Sequence, residues 1–138
     1  CIDNRLSECN YMFVFGSKEQ VPQNVWNKIR EDCKVYGIGT KSYGKSFGRV
    51  YAQRNKPDYY QASIPIHPLC SKINDEWRKS WNGLFIDFMK ASQLEDGTIR
   101  LFTDNNKVIS FDCRHLTMYG CKYYAKVLNL EKIFSNPM

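Results

Sequence analysis

Tyr11-Met12-Phe13-Val14-Phe15-Gly16-Ser17 is a continuous apolar run of strand length that ends in two turn residues. A short apolar run bounded in this way is typical of a strand that is covered on both faces in a parallel sheet. We therefore expect residues 11–15 to form a strand of an α/β fold that is buried on both faces.

The residues after this strand predict the unit to which it belongs. Residues 21–34 have the spacing of an amphipathic helix, and Pro22 suits its first turn. The apolar residues at that spacing are Val25, Ile29 and Cys33. Residues 34–39 then predict a second strand. A strand, a helix and a strand in this order predict two parallel neighbours joined by a right-handed crossover.

The middle of the chain, residues 40–68, has no regular period and contains several glycines, prolines and aromatic residues. A connection of this length is uncommon in a compact domain unless it is functional or contains short elements. It leaves from the carboxyl end of the second strand, where α/β sheets bind their ligands. We expect this segment to face a substrate, with its aromatic rings either contacting that substrate or packing as lid and core.

A helix is predicted over residues 69–81, where apolar and charged residues alternate at helical spacing and Asn82-Gly83 would end the helix. Residues 84–88 are ambiguous, because they could form a strand or continue as a helix through Met89 and Ala91. Their length and their aromatic and β-branched content favour a strand.

The last third of the chain contains two turns and a final helix. Turns at Asp96-Gly97 and at residues 104–106 predict a short hairpin from residues 98–103 and 107–111. The helix is predicted to begin after Thr117, which would be its N-cap. The residues of this helix expected to face the core are Cys121, Tyr124, Ala125 and Leu128.

The turn before that helix, Ser110-Phe111-Asp112-Cys113-Arg114-His115-Leu116-Thr117, places a carboxylate and an imidazole three residues apart. Aspartate is the usual partner that fixes the tautomer of a histidine and stabilises its protonated form, which suits a dyad that activates a serine. The other histidine, His67, precedes a proline, so His115 is the better candidate for imidazole chemistry. The alternative is that His115 only hydrogen-bonds the backbone at a helix start.

The pattern Asp112-x-x-His115-Leu116-Thr117, followed by Met118-Tyr119-Gly120-Cys121, resembles the last conserved block of the SGNH/GDSL hydrolase family. It is most similar to the SGNH domains associated with sugar O-acyltransferases. Residues 13–18 (Phe-Val-Phe-Gly-Ser-Lys) and 39–44 (Gly-Thr-Lys-Ser-Tyr-Gly) also resemble segments of that branch. The resemblance implies a three-layer α/β/α fold with a mostly parallel, flavodoxin-like sheet, and residues 1–138 would be the C-terminal part of one such domain.

The resemblance also implies a function, namely that of an esterase or O-acetyltransferase acting on acyl esters of carbohydrates. No cofactor or metal is expected. Asp112 and His115 would be two members of the catalytic triad. The residues expected to bind substrate are Gly39, Thr40, Lys41 and Tyr43. The expected partners are an acylated carbohydrate and either a membrane acyltransferase domain or an N-terminal segment that carries the nucleophile. A periplasmic or other extracytoplasmic location is favoured.

The chain departs from the family at the nucleophile, because it contains no Gly-Asp-Ser block and no evident Gly-x-Asn-Asp block. Two explanations stay open. Either another segment supplies the serine, or the chain is a module without a nucleophile that only binds a glycan. Ser17 follows a predicted strand, but a serine in that place is more often a turn residue or a helix cap.

The composition is that of a globular domain. The 138 residues are 43% hydrophobic and 14% aromatic, which excludes a disordered composition and provides for a sizeable core. No apolar run reaches the roughly 18 residues that span a bilayer, so no direct membrane span is expected. Six cysteines without a C-x-x-C pair allow many disulfide pairings. A zinc site from Cys113, His115 and Cys121 would lack the usual closely spaced ligand pairs, and most thiols are expected to be buried.

The net charge of +6 leaves a nucleic-acid binder as a third alternative. Basic and aromatic residues alternate between residues 41 and 60, where they could neutralise phosphates and stack on bases. These residues are Lys41, Lys45, Arg49, Arg54 and Lys56, with Tyr43, Phe47, Tyr51, Tyr59 and Tyr60. No nucleic-acid-binding motif accompanies them, so a solvated loop above packed aromatic anchors is the simpler interpretation, and no nucleic-acid partner is expected.

Overall fold

The computed structural model describes residues 3–44, 48–82 and 84–131. It is a mixed α/β structure with a parallel sheet and a second, antiparallel one. The elements are α1 (Asp3–Leu6), β1 (Tyr11–Phe15), α2 (Gln23–Trp26), β2 (Lys34–Ile38), α3 (Gly48–Tyr51), β3 (Ser63–Pro65), α4 (Pro68–Ser80), β4 (Phe85–Ile86), α5 (Phe88–Ser92), β5 (Thr98–Arg100) and α6 (Met118–Val127). Single 3-10 turns cover Lys18–Gln20 and Tyr59–Gln61.

The parallel sheet has the strand order β1-β2-β4. β1 and β2 pair along their whole length, from Tyr11 opposite Lys34 to Phe15 opposite Ile38. The two predicted strands and their parallel pairing are therefore confirmed. Because the strands run in the same direction, the chain leaves both of them at one edge of the sheet.

β1 is not covered on both faces, contrary to the prediction from its apolar run. Its residues alternate between exposed and half-buried, and the exposed set is aromatic: Tyr11, Phe13 and Phe15. An uninterrupted apolar run does not reveal which face a fold leaves open, so the pattern overstated the burial of this strand.

The helix predicted over residues 21–34 is a single turn, Gln23–Trp26, and that prediction was wrong in length. Beyond it the backbone makes three-residue turns, in which Lys28 N–H donates to Val25 O and Ile29 N–H donates to Trp26 O. No residue of the turn is buried. With no fully buried residue, a helix of this size has little to offset the cost of ordering its backbone.

The main cluster of buried hydrophobic residues lies beside the antiparallel pair β3–β5. Trp81 and Ile86 are buried at the parallel sheet. Partly buried residues of the middle segment, among them Tyr59 and Ile64, pack against the main cluster. Tyr59 meets Phe102 edge-on, with ring centroids 4.8 Å apart. The buried members of the main cluster are Tyr43, Met89, Ile99, Leu101, Phe102 and Cys113. Parts of residues 40–68 therefore belong to the core packing, whereas residues 51–58 are exposed.

α4 confirms the helix predicted over residues 69–81, and β4 confirms a strand within residues 84–88. The strand is short because a helix, α5, begins at Phe88. Asp87 causes this change, since its carboxylate accepts the N–H of Lys90 at 2.9 Å and caps the new helix.

α6 begins after Thr117 as predicted, and the Thr117 hydroxyl accepts the N–H of Gly120 at 3.0 Å. Tyr124 is buried, whereas Cys121 and Ala125 are exposed and Leu128 is half-buried, so the predicted buried face was only partly right. The predicted hairpin also forms in part. Phe102 pairs with Val108, while residues 98–100 pair with β3 instead.

Candidate functional site

The loop between Ser110 and Leu116 holds Asp112 and His115 against each other. His115 Nδ1 lies 2.5 Å from Asp112 Oδ2, and the backbone N–H of His115 donates to Asp112 Oδ1 at 2.7 Å. An ionised carboxylate only accepts hydrogen bonds, so this contact places the ring proton on Nδ1 and leaves Nε2 of the neutral ring as an acceptor. The His115 side chain is 73% exposed and is accessible to a substrate.

Asp112 organises this loop through two further groups. Its Oδ1 atom also accepts the Arg114 N–H at 3.0 Å and the Ser110 hydroxyl at 3.2 Å. The backbone N–H of His115, and then its ring, hold the pKa of Asp112 well below its usual range. Asp112 is therefore ionised at neutral pH. In this state a carboxylate can orient a histidine ring and stabilise its protonated form.

Cys113 anchors the loop from below. Its backbone has φ +56°, a left-handed conformation that is uncommon for a residue other than glycine. The side chain is fully buried in the hydrophobic core, and burial raises the pKa of its thiol to about 11. Because Cys113 is held in this way, its neighbours Asp112 and Arg114 are directed outward.

The base of the loop is closed by α6. Ser110 pairs with Leu116, and the Thr117 hydroxyl donates to the Val108 carbonyl at 2.5 Å. At Gly120 a Cβ atom would lie 2.1 Å from the carbonyl oxygen of Ile109. This close approach explains why a glycine stands three residues after the N-cap.

His115 opens onto a cleft of about 480 Å³ that has two chemically different walls. The apolar wall comes from the end of β1 and from one face of α4, and consists of Phe15, Leu69, Cys70, Ile73 and Trp77. The other wall contains the polar and charged residues Thr40, Lys41, Ser42, Arg114 and His115. Segments that are far apart in the sequence therefore line one cleft together with the imidazole.

Of the residues predicted to bind substrate, Thr40 and Lys41 line this cleft together with His115. Gly39 is buried behind them, where a Cβ atom would lie 2.5 Å from Asn74 Oδ1. Tyr43 lies in the core with 1% of its surface exposed, and burial raises the pKa of its phenol. Two of the four residues thus contact the cleft, and the other two lie in the packing that supports it.

A buried polar network behind the cleft was missed by the sequence reasoning. The side-chain oxygen of Asn74, which is 1% exposed, accepts the Thr40 N–H at 3.0 Å. Its amide nitrogen donates to Asp87 Oδ1 at 3.0 Å, and Asp87 in turn pairs with Arg78. The network fixes the backbone just after β2, where Thr40 reaches the cleft. The one sequence signal for this network was Asn74 itself, a polar residue four positions after Cys70 on the inner side of a predicted helix.

Ser42, Cys70 and Arg114 are three further cleft residues that the sequence reasoning did not select. Ser17 has a structural role at the start of a 3-10 turn. Its N–H donates to the Gln20 side-chain oxygen, and its hydroxyl donates to the Glu19 carboxylate. Ser17 thus stands at the start of a turn, in agreement with its interpretation as a turn residue or helix cap.

The basic and aromatic residues between 41 and 60 do not form one continuous surface in the part that is described. Tyr43 and Tyr59 pack on the core, and Arg54 lies over the ring of Tyr51 at 4.9 Å. The interpretation of packed aromatic anchors therefore applies to Tyr43 and Tyr59. Lys45, Phe47 and the side chain of Arg49 lie outside the described residues.

Within the described ranges, no group of three His, Cys, Asp or Glu side chains is arranged to hold a metal ion. Of the thiols considered for zinc, that of Cys113 is buried in the core and that of Cys121 is exposed. Nor does any helix in this part of the chain have the length and apolar character needed to cross a membrane.

In comparisons with known proteins, no family model, no curated protein and no solved structure matches this chain.

Proposed function

We propose that this chain carries the histidine part of an SGNH-type esterase or O-acetyltransferase that acts on acyl esters, above all acetyl esters, of carbohydrates. The observation that carries the proposal is the 2.5 Å contact between Asp112 and His115 at the mouth of a cleft that also receives Thr40 and Lys41. The family resemblance rests on both of these segments, which are distant in the sequence but share one cleft.

In the proposed mechanism His115 acts first as a base and then as an acid. Its Nε2 atom accepts the proton of a serine hydroxyl while the serine oxygen forms a bond to the ester carbonyl carbon. Asp112 stabilises the imidazolium that results. The imidazolium then protonates the departing sugar oxygen as the ester bond breaks, which leaves an acyl-serine. Water or a second sugar hydroxyl accepts the acyl group in the same way.

The two walls of the cleft suit the two ends of such a substrate. Phe15 and Trp77 meet edge-on with ring centroids 5.1 Å apart, and they offer an apolar surface for an acyl group or for the face of a sugar ring. On the other wall Lys41 and Arg114 bring positive charge to the cleft that His115 also lines. Positive charge at this place would stabilise the oxygen that becomes negative during attack.

The serine itself is proposed to come from another segment. The hydrogen bonds of His115 that the structure describes go to Asp112, and none goes to a serine. β1 is an edge strand of the described sheet, and it ends at Phe15 in the cleft. A further parallel strand beside β1 would end at the same place, so the residue after it would reach His115. Such a strand, from an N-terminal segment or a membrane acyltransferase domain, would extend the sheet towards the three-layer α/β/α fold.

The test is the His115→Ala variant in the gene product that includes any sequence upstream of Cys1, assayed with p-nitrophenyl acetate and an acetylated sugar. We expect kcat to fall by about 10⁴-fold or more, because the base of a triad is lost. The side chain is exposed, so circular dichroism should be unchanged. Wild-type turnover in this variant would refute the proposal.

Ser42→Ala is the matched control, since Ser42 lines the same wall. We expect its kcat to stay within about tenfold of wild type. A loss as large as that of His115→Ala would instead place the nucleophile within this chain.

A second candidate function, a glycan-binding module without a nucleophile, is favoured by the absence of a serine partner for His115 among the described hydrogen bonds. The same gene product distinguishes the two. A binding module would bind acetylated glycan in a calorimeter and release no acetate, whereas an enzyme would release acetate with a His115-dependent rate.

A further inference from the structure

We infer that Cys9 and Cys33 are a disulfide-forming pair that joins the amino ends of β1 and β2, with a small-molecule disulfide such as oxidised glutathione as the oxidant. Their sulfur atoms lie 3.3 Å apart, and both side chains are half-buried. A disulfide bond is about 2.0 Å long, so closure requires a movement of only about 1 Å. This inference is independent of the proposed function.

The backbone of the parallel sheet brings the two cysteines together. Cys33 directly precedes β2, and Cys9 stands two residues before β1. Between them the N–H of Lys34 donates to the carbonyl of Asn10 at 2.9 Å, which extends the strand pairing to the positions beside both cysteines. Cys9 Sγ also donates to the carbonyl of Leu6 at 3.3 Å, which orients its side chain. The sulfur contact thus follows from the register of the sheet.

The other described cysteines differ from this pair. Cys113 is buried in the core, Cys70 lines the cleft, and Cys121 is exposed on α6. In the ranges that the structure describes, the contact between Cys9 and Cys33 is the one that joins two sulfurs. Of the many pairings that the sequence left open, the geometry therefore selects this one.

The chemistry is thiol–disulfide exchange. The thiolate of one cysteine attacks a sulfur of oxidised glutathione, which breaks the glutathione disulfide, forms a mixed disulfide and releases one reduced glutathione. The thiolate of the second cysteine then attacks the protein sulfur of the mixed disulfide and displaces the second glutathione. Two protons and two electrons leave the protein thiols, and the oxidant becomes two molecules of reduced glutathione.

The environment of Cys33 makes the exchange dependent on pH. Burial, and then the hydrogen bond with Cys9, raises the pKa of the Cys33 thiol to about 11. The attacking species is the thiolate, which is scarce at neutral pH when the pKa is high. Disulfide formation should therefore accelerate as the pH is raised from about 7 to about 9.

The bond would stabilise the sheet without changing the cleft. The pair lies at the amino ends of β1 and β2, whereas Phe15 and Thr40 reach the cleft from the carboxyl ends. The cross-link closes a loop between positions that are 24 apart in the sequence. A loop of this size predicts a Tm that is about 10 °C higher in the oxidised protein.

The test is to incubate the full chain with oxidised glutathione, block free thiols with iodoacetamide and digest with trypsin without reduction. Mass spectrometry should find residues 6–18 linked to residues 31–34, the tryptic peptides that contain Cys9 and Cys33. Dithiothreitol should lower the Tm by about 10 °C. Cys33→Ser should lose both effects, and Cys121→Ser, which removes an exposed thiol elsewhere, should keep both.

Alkylation of both Cys9 and Cys33 after oxidation, a lasting glutathione adduct on either, or a link to another cysteine would overturn the inference. The peptide map uses the unsubstituted chain, so it decides the question even if Cys33→Ser does not fold.

Discussion

The aromatic residues are packed differently in two regions of the molecule. Beneath the Asp112–His115 loop the rings of Tyr43 and Phe102 are buried, whereas the rings of Phe13 and Phe15 on β1 are exposed. In the first region the rings belong to a closed hydrophobic core, which also contains Cys113 and so holds the loop. The second is a sheet whose aromatic face the described residues leave exposed. The imidazole is thus positioned by packing within this chain, while the further strand that we propose would add at the edge beside β1.

The largest expected effect is a loss of kcat when the Asp112–His115 dyad above the core is broken. Asp112→Asn replaces the ionised partner of His115 with a neutral amide that can hold the wrong tautomer. If the proposed serine is supplied by another segment, we expect kcat on acetyl esters to fall by about 10⁴-fold in the gene product that includes that segment, with its circular dichroism unchanged. Activity within tenfold of wild type would show that Asp112 serves only to shape the loop.

The next effect is on the free energy of unfolding, which a leucine-to-alanine substitution in each region compares. Leu101 is fully buried in the core, and Leu84, beside β4 in the parallel sheet, is 40% exposed. Leu101→Ala removes buried methyl groups and leaves a cavity, so the free energy of unfolding should fall by about 3 kcal/mol. Leu84→Ala removes the same atoms at an exposed position and should cost less than about 1 kcal/mol.

Urea unfolding of both variants measures this difference. Equal losses would mean that the sheet region is as tightly packed as the core, which would contradict the contrast between the two regions.

The smallest effect is a pH dependence of stability that belongs to Asp112. Its pKa in the folded protein is lowered, first by the backbone N–H of His115 and then by the ring. A lowered carboxyl pKa stabilises the fold at pH values above the unfolded pKa of about 3.9, and that stabilisation is lost as the pH falls below it. The unfolding free energy should therefore decrease between about pH 5 and pH 2.

The difference between wild type and Asp112→Asn isolates this contribution, because other carboxyl groups with lowered pKa values are present in both proteins. These are Glu19, Asp32 and Asp96. Urea midpoints measured across this range should converge at low pH. Parallel curves would show that the hydrogen bonds of Asp112 add nothing to stability.

The sequence by itself determined the elements whose causes are local. The apolar run of β1 with its closing glycine, the spacing of α4 and the cap at Thr117 each depend on residues within a few positions, and the structure has these elements close to their predicted bounds. The turn that joins Asp112 to His115 is local too, because the carboxylate bonds the backbone two and three residues later.

Only the tertiary structure decided what surrounds the imidazole and which residues support it. The burial of Tyr43, the link from Asn74 to Thr40 and the contact of Cys9 with Cys33 all join positions that are far apart in the chain. Such contacts depend on strand register and on how α4 packs across the sheet, and hydrophobic period does not encode either of them. The open face of β1 has the same origin, since its exposure depends on what lies across from it.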